Sequence, residues 1–212
     1  MTDDDLDYVR GLLGRGLLEP PVLELGAGYG GPTCRGLLEG AGLAYVATDR
    51  DAAPGLTAAD FETGRGIDSL AARGPFGTLL VLNVLEHVLE PVAVLDRSLA
   101  LLAAGGRLVS VTPAVWPLHE HPVDCCRLLP GFFERFAATR GVELDRESFV
   151  YVGLGPVGSF RDRAGRLRLP PAGTGRPLWR RYSRLVHALF RTFGREVNHG
   201  PRVALGAVFR RP

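Results

Sequence analysis

Two groups of residues in this 212-residue sequence have the types and spacing that chemistry needs. The first is Gly26, Gly28 and Gly30, set directly after the apolar run Val22-Leu23-Glu24-Leu25. Glycines at a strand exit let the main chain turn through angles that other residues resist, and let a ligand approach the backbone closely. Amides at the start of the helix that follows favour negative charge. Asp49 ends the next apolar run. It lies about twenty residues on, where a carboxylate takes both hydroxyls of a ribose. Gly26, Gly28 and Gly31 also satisfy the G-x-G-x-x-G spacing, so a nicotinamide dinucleotide competes for the same turn.

The second group is His119, His121, Asp124 and Arg127. His119, His121 and Asp124 could accept the proton that a hydroxyl loses when it becomes a nucleophile, with Asp124 orienting a histidine. The same three also offer a ligand set for zinc, iron or manganese, but no fourth ligand is evident and the leading reading has no metal. The bland alternative is a structural loop in which Asp124 pairs with Arg127 and caps the next helix. Cys125 and Cys126 have no activating base beyond these histidines, so they read as structural thiols.

The elements that must position these groups alternate. Residues 3–18 carry Leu6, Val9, Leu12, Leu13 and Leu17 at helical spacing, with Pro20-Pro21 as the stop. Strand (22–25), glycine turn, helix (33–39) and strand (43–48) form a βαβ unit. Residues 77–82 are apolar throughout, as a strand buried on both faces should be. A helix (91–103) capped by Gly105-Gly106, a strand (107–111), a helix (131–139), strand-like 142–144 and 149–152 and a last strand (202–210) follow. The alternation predicts a doubly wound α/β sheet. In such a sheet the loops at the strand carboxyl ends surround the ligand, which brings the His119–Arg127 segment to the glycine turn.

Between them, residues 154–178 are rich in Gly, Pro and Arg and read as a loop or lid. Residues 178–193 return to an apolar helical stripe flanked by arginines, read as a helix packed on the domain. A membrane-surface helix or a homodimer face are the other readings of that stripe. The whole chain, 1–212, reads as one domain with a lid or substrate-shaping insertion around 154–200.

Several segments together resemble the class I S-adenosylmethionine (SAM) dependent methyltransferases. They are Glu24-Leu25-Gly26-Ala27-Gly28, Asp49, Asp60-Phe61, Leu82-Asn83-Val84-Leu85-Glu86-His87-Val88 and Leu101-Leu102-Ala103-Ala104-Gly105-Gly106-Arg107-Leu108. The resemblance implies a Rossmann-like seven-stranded sheet, mostly parallel with an antiparallel last strand. It implies SAM as cofactor, with Gly26, Ala27, Gly28 and Tyr29 against its methionine half and Glu24 orienting that loop. Asp49 would take the ribose, Arg50, Asp60 and Phe61 the adenine, and Asn83 and Val84 would offer carbonyls. Glu86 and His87 would line the mouth, with His87 a further catalytic candidate. His121-Pro122-x-Asp124-x-x-Arg127 with Pro130 resembles a bacterial subset of these enzymes from glycan or natural-product pathways. It departs from that subset at Cys125-Cys126, where aromatic residues are usual, and at Leu129, where threonine is.

The expected activity is methyl transfer to a small molecule, most simply to oxygen. The alternatives are a protein of this fold that binds SAM and catalyses a non-methylating step such as cyclisation, and the dinucleotide-binding module. A formal charge of +2 does not suggest a nucleic-acid partner. Three cysteines make no disulfide framework, the start of the sequence is acidic, and no apolar run is long enough for a membrane span. These features fit a cytoplasmic protein.

Overall fold

The structure is a computed structural model that describes residues 2–28, 33–119, 123–168 and 202–212, with Leu185, Ala188, Leu189 and Thr192 besides. The expected 178–193 helix, and most of the expected lid at 154–200, lie outside the described residues. No helix among the described residues is long and apolar enough to cross a membrane.

The first helix, α1 (Asp3–Gly14), starts at a capping box. The Thr2 hydroxyl accepts from the Asp5 amide, and the Asp5 carboxylate accepts from the Thr2 amide. It ends well before the expected stop at Pro20. Gly16 takes φ +67°, the Gly16 amide bonds the Leu13 carbonyl, and the Leu17 amide bonds that of Leu12. This is the Schellman pattern, which a left-handed glycine makes cheap. Local glycine chemistry thus closes the helix before the prolines can.

After β1 (Val22–Leu25) come α2 (Arg35–Gly40), β2 (Tyr45–Asp49), β3 (Thr57–Ala58), α3 (Ile67–Ala71) and β4 (Phe76–Leu82). Next are a 3-10 turn (Leu85–His87), α4 (Pro91–Leu101), β5 (Leu102–Val115) and α5 (Pro130–Arg140). The short strands β6 (Glu143–Leu144), β7 (Val150–Tyr151) and β8 (Gly155–Pro156), a second 3-10 turn (Val157–Phe160) and β9 (Val203–Arg210) complete the order. Strand β5 is longer at both ends than expected. Leu102 already pairs with Phe76, and a register shift at Thr78 absorbs the Ala103–Gly106 stretch read from sequence as a cap.

The sheet order is β3-β2-β1-β4-β5-β9-β7-β8, with β6 also on β9. Strands β3, β2, β1, β4 and β5 pair in parallel, and β9 runs antiparallel to β5. The Rossmann-like α/β architecture is as expected, with an antiparallel last strand. The described residues hold nine strands instead of seven: the expected 142–144 and 149–152 strands form as β6 and β7, and β3 and β8 are additional two-residue ladders that local patterning does not reveal.

Strand β4 is buried at every position. Leu79 and Val81 pack into one core with Leu70, Val94, Leu95 and Phe133 of α3, α4 and α5; Leu80 and Leu82 pack into another with Val9, Leu12 and Leu38 of α1 and α2. Helices therefore cover both faces, which is why the strand reads as an unbroken apolar run. Each fully buried Leu or Phe contributes about 1.5–3 kcal/mol.

Strand order reverses between β1 and β4. The crevice outside the carboxyl ends at such a point is where open α/β sheets bind ligands.

Candidate functional site

A cavity of about 450 Å³ opens at that crevice. Its walls come from the ends of β1, β2 and β4, the loop after β3, and the segment beyond β5. Of the residues singled out from sequence, Glu24, Gly26, Ala27, Asp49, Arg50, Asp60, Phe61, Asn83, Val84, Glu86, His87 and His119 line it. Gly28 stands behind the wall and Asp124 behind His119, while Tyr29 and His121 lie outside the described residues.

The glycine turn is built by the strand pairing. Gly26 takes φ +70°, and a Cβ there would meet Val84 Cγ2 at 2.7 Å. A Cβ on Gly28 would meet the Asp49 side chain at 2.8 Å. The Gly28 amide donates to Asp49 Oδ2 at 2.9 Å and the Ala27 amide to the Thr48 carbonyl at 3.1 Å, so the turn is tied to the end of β2. Glu24 is 4% exposed, and its Oε2 accepts from the Cys34 amide at 2.9 Å and the Tyr45 hydroxyl at 2.6 Å. Burial raises its carboxyl above the usual range, against the pull of those two donors. Glu24 thereby joins the start of α2 to β2 across the glycine turn.

On the other wall, Asp60 Oδ1 accepts from the amides of Glu62 and Thr63. Partial burial pushes its carboxyl up, but the Thr63 amide and hydroxyl, the Glu62 amide and Arg65 together hold it low. Phe61 is buried beside it in the core. Asn83 takes φ +52°, directly after β4, and its amide bonds the Val111 carbonyl at 2.8 Å.

At the far end of the cavity, Glu86 is fully buried. Its Oε2 accepts from the Thr112 hydroxyl at 3.2 Å, and its Oε1 has no hydrogen-bond partner among the described residues. Burial pushes this carboxyl up to about 7, against the Thr112 hydroxyl and the charges of His119 and Arg127. His87 Nε2 stands 3.7 Å from Glu86 Oε1. His87 Nδ1 meets the Val123 carbonyl at 2.6 Å, so Nδ1 carries the hydrogen. The His87 and His119 rings meet edge to face, 5.2 Å between centroids.

Asp124 is gripped by both terminal nitrogens of Arg127, and its Oδ2 accepts from the His119 amide at 3.1 Å. The Arg127 hydrogen bonds hold its carboxyl down at about 2, outweighing the cost of burial. The Asp124–Arg127 pair forms, but α5 starts at Leu129 and Pro130 with no side-chain cap, so the pair does not cap that helix. The pair fixes the loop instead, together with the Cys125 and Cys126 amides on the Glu86 carbonyl. The Cys126 thiol donates to the Leu85 carbonyl at 3.3 Å, and burial raises its pKa.

Sequence reading missed Thr2, Glu62 and Trp116, which also line the cavity. Trp116 follows β5 and was findable from its place after a carboxyl end. Glu62, whose Oε1 accepts from the Leu89 and Glu90 amides, and Thr2 act across the fold and leave no local signal.

No protein-family model and no curated protein sequence match the chain. Solved structures share its fold. A SAM-dependent methyltransferase from Archaeoglobus fulgidus is similar over 99% of this chain and 95% of its own, with TM-score 0.57 and 13% identity. The 1,6-didemethyltoxoflavin-N1-methyltransferase of Burkholderia thailandensis, solved with S-adenosylhomocysteine, covers 99% and 79%, with TM-score 0.56 and 14% identity. The glycopeptide N-methyltransferase MtfA, also solved with S-adenosylhomocysteine, covers 100% and 91%, with TM-score 0.53 and 13% identity.

Proposed function

We propose that the chain is a SAM-dependent methyltransferase acting on a small molecule, with oxygen as the accepting atom. The observation that carries this is the cavity at the β1/β4 switch point, lined by Gly26 and Ala27 of the glycine turn and by Asp49 and Asp60. The fit is physical. At Gly26 a side chain would collide with Val84, and at Gly28 with Asp49, so the main chain there is bare. Asp49, held by the Gly28 amide, keeps lone pairs for a pair of ribose hydroxyls. Arg50, Asp60 and Phe61 line the same cavity and would take the adenine, and Asn83 and Val84 line it too and would offer carbonyls.

Bound there, SAM supplies a methyl group made electrophilic by a sulfonium. The protein's part is to hold the acceptor oxygen in line, and positioning alone lowers such barriers greatly. A hydroxyl must also lose its proton. His87 and His119, with Glu86 between them and Asp124 fixing the main chain at His119, are the groups that would ionise it; His121 stays a candidate by sequence. Acceptors from natural-product or glycan pathways fit the His121–Arg127 pattern.

Calorimetry with SAM, and with NAD as the contrast, tests the cofactor. Mass spectrometry of reactions with hydroxylated acceptors tests the transfer. Stabilisation by NAD and not by SAM sinks the reading. Tight SAM binding with no methylated product across acceptor classes favours a non-methylating role instead.

A further inference from the structure

We infer that Glu86, His87 and His119 form a binding site for one divalent transition-metal ion on the acceptor wall of the cavity. One ligand-capable atom from each lies within 4.8 Å of the others. The argument rests on an excess of lone pairs. Glu86 Oε1 is fully buried and has no donor among the described residues. His87 gives its Nδ1 hydrogen to the Val123 carbonyl, so Nε2, 3.7 Å from that oxygen, is the ring atom placed to bind a cation. His119 Nδ1 is also buried without a hydrogen bond to any described residue, and Asp124 Oδ2 stands 3.5 Å from it. A hydrogen on Nδ1 faces that carboxylate, which leaves Nε2 as a further lone pair.

Acceptors that converge in a buried place with no donor among them repel each other, and a cation removes the conflict. Two imidazoles and a carboxylate suit zinc, iron, manganese or cobalt, and leave open positions. Bonds of about 2.0–2.2 Å span ligand pairs up to about twice that length, so the 3.7 Å pair already fits and a small rotation closes the third. The Val123 carbonyl on His87 and the Asp124 carboxylate beside His119 are the outer partners that metal-bound histidines ordinarily have. Asp124 itself is occupied by Arg127, so the set differs from the His119, His121 and Asp124 grouping read from sequence. All three ligands line the cavity, so the open positions face the space where an acceptor oxygen would sit. An ion there would make that hydroxyl acidic enough to release its proton to solvent water, with no proton uptake by either imidazole.

The test uses the full chain, untagged, stripped with a chelator and titrated with Co²⁺ alone. Visible absorption should show one saturable Co²⁺ per chain, displaced by Zn²⁺. His87→Ala and His119→Ala should each weaken binding at least tenfold, and Glu86→Gln likewise. Absence of saturable binding overturns the inference and leaves a proton to complete the cluster. Binding that survives both histidine variants unchanged overturns it too, by placing the ion elsewhere. If Glu86→Gln does not fold, the two histidine variants carry the test, since both rings are partly exposed. SAM is absent from this titration. A chain that binds SAM and not Co²⁺ defeats the metal site alone, and one that binds Co²⁺ and not SAM defeats only the cofactor reading.

Discussion

Asp5 Oδ2 accepts a hydrogen bond from Asn83 Nδ2 at 3.0 Å, across 78 positions of sequence. The same oxygen accepts from the Thr2 amide at 2.6 Å. One buried carboxylate thus holds the first turn of α1 to the left-handed residue after β4, and both Thr2 and Asn83 line the cavity. The residue that caps α1 is part of the site.

Asp5→Ala removes that shared acceptor. The capping box contributes about 1 kcal/mol, and a hydrogen bond to a charged group about 1.5–3 kcal/mol. Thermal unfolding should therefore move to lower temperature, and SAM affinity should fall several-fold as Asn83 loses its anchor. Unchanged calorimetric affinity in a folded Asp5→Ala protein would show that the node serves stability only.

Gly26→Ala should harm the site more than the fold. A residue other than glycine at φ +70° costs about 1–2 kcal/mol, and its Cβ must displace Val84 as well. The expected result is a modest fall in urea midpoint with more than tenfold weaker SAM binding. Gly36→Ala is the control, since nothing lies within 4 Å of a Cβ there.

Tyr45→Phe takes one of the two recorded donors from Glu24 and leaves the Cys34 amide. Leaving a buried acceptor short of a partner costs about 1–3 kcal/mol. Denaturant unfolding should report that loss. A double variant with Glu24→Gln should lose less than the sum of the singles, because both act on one hydrogen bond; additive losses would contradict the coupling.

Asp145 sets a pH dependence. Partial burial pushes its carboxyl up, but the Ser148 hydroxyl, the Glu147 and Ser148 amides and Arg15 hold it below the usual range. A carboxyl lowered in the folded state adds stability that is fully present above its unfolded value, about 3.9. That stability drains away as the pH falls below it toward the folded value. Asp145→Asn should therefore lower stability at pH 7 and flatten the acid side of the stability curve. A variant whose acid limb keeps the parent slope would reject this.

Much of the frame was legible before the structure. Val22–Leu25, the glycines after it and Asp49 are local signals, and β4 announced itself by the apolar run Leu79–Leu82. What escaped was whatever depends on two distant segments meeting. The α1 helix was expected, but not that its Asp5 would be buried against Asn83. His119 was a candidate, and so was His87, yet their approach depends on the Glu86 carbonyl receiving the Cys125 and Cys126 amides. The pairing of Asp124 with Arg127 is legible from their spacing, but not that both terminal guanidinium nitrogens take the carboxylate while α5 goes uncapped. Two-residue strands such as β3 and β8 exist because β2 and β7 offer an edge, and no pattern within them says so.

The placement of Thr2 has a practical side. Anything fused ahead of it would leave the molecule at the cavity wall, where a purification handle would crowd the opening and a histidine tag would bring competing imidazoles. Strand β9 ends at the other pole of the sheet, with Arg210 opposite Arg107 at the beginning of the parallel run through β5. Handles, dyes and surface tethers therefore belong after β9, where they stay clear of whatever enters the crevice.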